Sequence, residues 1–146
     1  MHLHDRAFAE LDAATLYAVL RLRSDVFVVE QDCAYPELDG RDVEPATRHL
    51  WLSPDGEPGK PKSYLRLLGE PDGGTRIGRV CTAADARGLG LSKQLMKAAL
   101  DRASDRSCVL DAQSYLLGFY ASFGFVVDGQ EYVEDGIPHT PMRRSP

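Results

Sequence analysis

The sequence is poor in cysteine: it has three, Cys33, Cys81 and Cys108, set far apart in its 146 residues. An odd number at wide spacing is no disulfide framework, and no Cys-x-x-Cys or His-x-x-x-His pair offers itself to a metal. The thiols therefore read as small buried groups of a reducing compartment, and no metal is expected. Long apolar runs are also missing, so nothing has the ~20 residues that a membrane-spanning helix needs. Met1-His2-Leu3-His4-Asp5 lacks the basic and apolar regions of a secretory signal. A soluble cytoplasmic protein without a membrane partner is the expectation. Positive charge is in deficit, with 17 basic against 22 acidic residues and a net charge of -5. Without a basic tail or a basic patch interleaved with aromatics, nucleic acid is not an expected partner. A local basic pocket for an anionic ligand remains open, since a few well-aimed donors suffice.

What is present suits one core. The chain is 43% hydrophobic, enough for a single domain over residues 1–146. Asp12 is placed to cap a helix carrying Leu16, Val19, Leu20, Arg23 and Phe27 on one face. Val26–Gln31 either finishes that helix or leaves it as an extended turn. Residues 32–42 read as a loop, with Pro36 restricting Tyr35 and a turn at Asp39-Gly40. Strands follow at His49–Leu52, Ser63–Leu68 and Thr75–Thr82, joined by Pro- and Gly-rich links that imply an antiparallel meander. Gly78 within the third can permit close backbone approach. A second helix runs from Leu91 to about Ala103, then a strand at Val109–Gln113. Ser114 is placed to cap a short helix that Gly124 ends. Extended segments fill the rest, and the first strand is faint, around Ala7–Glu10.

The most informative feature is the passage from strand through Arg87-Gly88-Leu89-Gly90 into the Leu91 helix. Small residues let the backbone turn tightly, and the free amides of a helix start attract an anion. Arg87 can add a charge-assisted bond to phosphate. A Walker loop requires Gly-Lys-Ser or Gly-Lys-Thr, whereas Ser92-Lys93 has the wrong order and spacing. A dinucleotide fingerprint requires a third glycine where Lys93 stands. The turn alone thus supports an anion site, or an ordinary tight junction.

Four blocks in consistent order narrow the reading. They are Leu22–Gln31, Tyr35–Gly40, Arg79–Thr82 through Arg87–Gly90, and Phe119–Phe125 continuing to Glu134–Met142. In these blocks the chain resembles the GNAT acetyltransferase superfamily, specifically its small ElaA-like group. The resemblance implies an α/β fold: a mixed, strongly bent sheet flanked by helices, with splayed central strands near Val80 and Leu110. It implies acetyl-CoA as donor. The pantetheine arm would pair with backbone at Val80, Cys81 and Thr82, and the pyrophosphate would lie among Arg87, Gly88, Leu89, Gly90, Leu91 and Ser92. Ser92 stands where the superfamily commonly has Gly or Ala. A homodimer is the family-level expectation for assembly.

The implied reaction is direct acetyl transfer to an unidentified amine. It needs a neutral nucleophile, an aligned thioester and a donor to the developing oxyanion, which a backbone amide near Val80–Thr82 can supply. Tyr120 matches the superfamily tyrosine facing the CoA sulfur; it either protonates the thiolate, holds the sulfur, or is a core tyrosine. Glu30 leads the candidates for general base, if burial raises its pKa, with a structural ion pair as the alternative. Asp111 is a second carboxylate candidate or a helix cap. His49 and His139 are further candidates to accept a proton, with a strand-edge hydrogen-bond network as the alternative for His49. Arg23, Asp39, Glu134 and His139 are candidates for acceptor binding, and acidic residues around Asp39 suit a basic acceptor. Cys81 has no local histidine to activate it, so an acyl-cysteine is disfavoured. The alternatives are an acyl-CoA-binding sensor without turnover, and an acyltransferase using a longer acyl donor or a hydroxyl acceptor.

Overall fold

The computed structural model describes residues 1–146. A mixed, bent sheet runs through the molecule, built from β1 (His2–Ala7), β2 (Arg48–Ser53), β3 (Ser63–Gly69), β4 (Thr75–Thr82), β5 (Cys108–Gln113), β6 (Val126–Val127), β7 (Tyr132–Glu134) and β8 (Ile137–Arg144). The spatial order is β1-β2-β3-β4-β5-β8-β6, with β7 also paired to β8. The expected meander is β2-β3-β4, antiparallel throughout. Only β4 and β5 are parallel.

The first strand lies earlier in the chain than its faint pattern suggested. It spans His2–Ala7, and Phe8–Glu10 is a 3-10 turn. Long-range partners make it a strand. All six residues pair with β2, and His4 and Asp5 reach across to Ser53 and Arg48, each at 2.8 Å. No hydrophobic alternation in such a polar edge announces it.

Helix α1 (Ala13–Ser24) starts where Asp12 accepts from Thr15 N at 2.7 Å. Its continuation, Asp25–Glu30, is π-helical. There Gln31 N bonds Val26 O and Cys33 N bonds Val28 O, each five residues back. The wider turn resolves the ambiguity of Val26–Gln31: the chain remains helical but shifts its facing by a residue. Val19, Leu22 and Val26 pack with Trp51, Tyr64 and Cys81 on one face of the sheet. Helix α2 (Leu91–Ala103) buries Leu91, Leu95, Ala99 and Ala103 at four-residue spacing. This stripe covers the other face, against Leu50, Leu52, Leu65, Leu67, Ile77 and Leu110. Helix α3 (Leu117–Ala121) follows a 3-10 turn at Ser114–Leu116. Ser114 does not cap it; its hydroxyl bonds Thr140 Oγ1 at 2.8 Å instead. Gly124, with φ 90°, ends the segment as expected.

Candidate active site

β4 and β5 pair only at Thr75–Cys108 and Arg76–Val109. Beyond this point β4 stays with β3 and β5 with β8, so the two strands part toward Thr82 and Gln113. The gap opens into a cleft of about 1050 Å³, bordered by both strands, the π-helical segment, the turn before α2, and α3.

At one end lies the glycine turn. Gly88 and Gly90 adopt φ of 81° and 73°, and a Cβ on either would meet nothing within 4 Å. Conformation, not crowding, calls for glycine at both. Gly90 is the N-cap of α2 and offers no side chain to the first amides, which leaves them to an anion. Ser92 Oγ bonds Thr82 Oγ1 at 2.7 Å, and Ser63 Oγ lies 2.9 Å from the same atom. This hydroxyl chain fastens the end of β4 to the start of α2. Arg87, half-exposed at this mouth, donates to Glu30 Oε1 at 2.7 Å and to Thr82 O at 3.2 Å. The residues present fit a pyrophosphate: free helix amides, two left-handed glycines and a half-exposed guanidinium.

β4 is bulged in its middle. Its register to β3 shifts between Tyr64–Cys81 and Arg66–Gly78, and Arg79 holds φ at 54°. A bulge takes one residue out of the ladder and re-aims its neighbours. Val80 and Cys81 border the cleft just beyond it. On the facing wall Tyr120 packs edge-on to Phe119 at 5.1 Å and to Phe125 at 6.4 Å. Burial pushes its hydroxyl well above the ordinary phenol range, so it remains a proton donor.

Residues of β5, β7 and β8 line another part of the cleft. His139 Nδ1 lies 2.8 Å from Ile137 O. A carbonyl only accepts, so Nδ1 carries a hydrogen, and in the neutral ring Nε2 holds the free lone pair. The ring stacks on Tyr132 at 5.6 Å. Asp111 does not cap the following helix; it pairs with Arg76 at 2.6 Å on the cleft wall. Glu134 also borders the cleft. Gln31 and Gln113 exchange amide bonds of 3.3 and 3.4 Å across the opening.

Alongside the cleft runs a network of three arginines and three carboxylates. Arg23 donates to Glu37 at 2.6 Å and to Asp42 at 2.7 Å. Arg66 donates to Asp39 and Asp42, and Arg79 to Glu37 at 2.9 Å. Tyr35 bonds Glu37, and its ring lies under the Arg79 guanidinium at 5.6 Å. The Arg66 bonds hold the Asp39 carboxyl well below the usual carboxylate range. Burial acts to raise Asp42, but the Arg23 and Arg66 contacts outweigh it and leave the group lowered. Removing one partner from such a buried set costs several kcal/mol, because the others are left uncompensated.

Three expected site residues stand elsewhere than anticipated. Glu30 is not buried: it is 44% exposed and paired to Arg87, and that hydrogen bond lowers its pKa. It has no environment to raise it into a base. His49 is a core residue, 1% exposed, with Tyr64 Oη 2.6 Å from Nδ1 and Asp42 O 3.0 Å from Nε2. Arg23 is fully buried and spends its guanidinium on Glu37 and Asp42, so it supports the loop rather than meeting an acceptor. Asp39, Asp111, Glu134, His139 and Tyr120 do reach the cleft. Burial pushes the Cys81 thiol up to about 12, which leaves it unreactive. The network around Arg66 and Arg79 escaped the sequence reading. Its one signal was Arg66, a charge in the middle of the apolar run Tyr64–Leu68. No group of three or more His, Cys, Asp or Glu is arranged to hold a metal, and no helix is long and apolar enough to cross a membrane.

A parted parallel strand pair, an anion-binding turn and a facing tyrosine define an acyl-CoA-dependent acyltransferase. The model of the acetyltransferase (GNAT) domain matches residues 46–146, and the chain belongs to the GNAT superfamily, related to its ElaA/UPF0039 group. A UPF0039 protein of Mycobacterium tuberculosis is 55% identical over 139 residues, which cover 92% of this chain and 87% of that one. The crystal structure of an acyl-CoA N-acyltransferase from Pseudomonas aeruginosa aligns with TM-score 0.91 at 43% identity, over 99% of both chains. That of Escherichia coli ElaA aligns with TM-score 0.90 at 37% identity, again over 99% of both.

Proposed function

We propose that the protein transfers the acetyl group of acetyl-CoA directly to a primary amine. The observation that carries this reading is the parting of β4 from β5, with the Arg87–Ser92 turn and His139 both bordering the gap. The turn and α2 amides bind the pyrophosphate, and Arg87 exchanges Glu30 for a phosphate oxygen. Backbone beyond the Arg79 bulge receives the pantetheine arm and offers an amide to the carbonyl oxygen as charge develops there. His139 Nε2, directly or through one water, takes the proton from the incoming ammonium. The amine attacks the thioester carbon, the C–S bond breaks with its electron pair going to sulfur, Tyr120 gives its proton to that sulfur, and the proton shed by the new amide nitrogen returns through water to the Tyr120 oxygen. Both reactants are held at once, so no acyl-enzyme is required. An acetyl donor and a primary amine are the simplest pair consistent with a transferase of a family whose domain is described as acetyltransferase. A cytoplasmic location is part of the same proposal.

Incubation with acetyl-CoA and a panel of amines, with free CoA and acetylated product both quantified, tests it. Acceptor-dependent CoA release with product heavier by one acetyl group is expected. Tight CoA binding without turnover on any amine would overturn it, and so would product formed only from longer acyl donors.

A further inference from the structure

Gly78 has no explanation in the fold. Its φ lies outside the left-handed region, and a Cβ there would meet only Arg66 Nε, at an ordinary 3.8 Å. No backbone comes close enough to require its small size. Glycine in a strand interior nonetheless weakens the strand. What its missing side chain does is leave open the cleft floor, since Gly78 and its ladder partner Arg66 both border the cleft.

Arg66 supplies the second observation. Its side chain is 4% exposed. Nη1 reaches Asp39 at 2.9 Å and Asp42 at 3.1 Å, and Nη2 reaches Asp39 at 2.5 Å. Nε is buried without any partner. A buried N–H left unpaired is costly and uncommon. The other such donor, Trp51 Nε1, belongs to the core under α1 and not to the cleft. Arg76 and Arg79 flank Gly78, tied to Asp111 and Glu37, and a guanidinium has five N–H donors, so each keeps some unused. Arg66 thus lacks one acceptor, at the nitrogen nearest Gly78.

We propose that Gly78 keeps open a subsite for an oxygen carried next to the reacting amine, and that the acceptor is amino-acid-like, its carboxylate or carbonyl accepting from Arg66 Nε. This rests on the amine-acylating reading above. A charge-assisted bond to the Arg66 guanidinium favours a carboxylate over a carbonyl. An alanine methyl at position 78 occupies the gap without disturbing the strand.

The test uses matched acceptors on glycine, lysine and phenylalanine skeletons: the amino acid, its amide, and the decarboxylated amine. Wild type, Gly78→Ala and Gly78→Val are assayed with acetyl-CoA, and thermal midpoints are recorded. On at least one skeleton, wild type should favour the acid over the decarboxylated amine by about tenfold or more in kcat/KM, with the amide between. Gly78→Ala should raise the acid's KM about tenfold, leave the KM for acetyl-CoA and the thermal midpoint unchanged or the midpoint raised, and erase most of the preference; Gly78→Val should do so more fully. Transfer to decarboxylated amines as readily as to acids would remove the subsite and leave the transferase standing. A fallen midpoint with unchanged preference would make Gly78 structural and overturn the proposal. No transfer to any acceptor would overturn the amine-acylating reading itself, and this inference with it.

Discussion

Arg87 and Glu30 face each other across the donor mouth of the cleft, Nη2 to Oε1 at 2.7 Å. Both are nearly half exposed, so the pair is cheap to open. Arg87→Ala should raise the KM for acetyl-CoA about tenfold, the loss expected for one charge-assisted phosphate contact. Glu30→Gln should keep kcat within about threefold and leave the donor KM unchanged or lower, because it releases Arg87. Steady-state kinetics check both. A hundredfold fall in kcat for Glu30→Gln would restore it as the base.

Tyr120→Phe keeps the ring that packs on Phe119 and Phe125 and removes only the hydroxyl. kcat should fall about 10- to 100-fold, with little change in donor KM or thermal midpoint. Because burial raises this hydroxyl far above neutrality, its ionisation should not limit the rate at moderately alkaline pH. A pH–rate profile of wild type and variant checks the assignment.

His139→Gln removes the lone pair at Nε2. The loss in kcat/KM should be about 10- to 100-fold near neutral pH. It should shrink toward about pH 9, where a growing share of the acceptor is already a free amine. A pH-independent loss would make His139 a positioning residue.

Stability should fall with acid in two stages. Burial lowers the pKa of His49 from 6.5, and burial with neighbouring positive charge lowers that of His4. The folded state favours their neutral forms, so stability is full above the unfolded value of about 6.5 and is lost as pH falls below it. Asp39 and Asp42 are lowered from 3.8. Their contribution is full above the unfolded value and is lost as pH drops through about 4 and below. Urea unfolding at pH 7.5, 5.5 and 4 measures both stages. His49→Asn should shrink the upper stage to the share of His4 and leave the lower stage in place.

Cys81→Ala should retain activity within about threefold. Its thiol sits among Tyr64, Trp51 and Val19 and is pushed up to about 12, far from a nucleophile's range. Mass spectrometry of the enzyme quenched during turnover should find no added acetyl group. A trapped acyl-Cys81 would replace direct transfer by a two-step reaction.

Local chemistry was legible in the sequence where it is self-contained. Asp12 caps α1, the linked strands form a meander, and Arg87–Gly90 leads into α2. Contacts across the chain were not legible. Arg23 meets Glu37 and Asp42 across 14 and 19 residues, and Arg79 meets Glu37 across 42. No periodicity encodes such pairings. The position of β1 is not legible in its own pattern, because its partners in β2 define it. Glu30 followed an apolar run and so looked buried. The π-helical turn instead delivers it to the surface beside Arg87.

The bulge at Arg79 gives β4 two halves of opposite parity. Before it, even-numbered residues such as Arg76 and Gly78 lie across from Leu68 and Arg66; after it, Cys81 lies across from Tyr64. Donor and acceptor thus meet one strand whose phase differs at its two ends. Running the same eight residues as a regular ladder, with no bulge, would turn one half of the strand inside out. Cys81 would then leave the core it shares with α1, and the donor would be met by the wrong set of side chains. The one irregular residue of β4 therefore acts as a frame-keeper, letting the two halves of the cleft be tuned separately as long as it is kept.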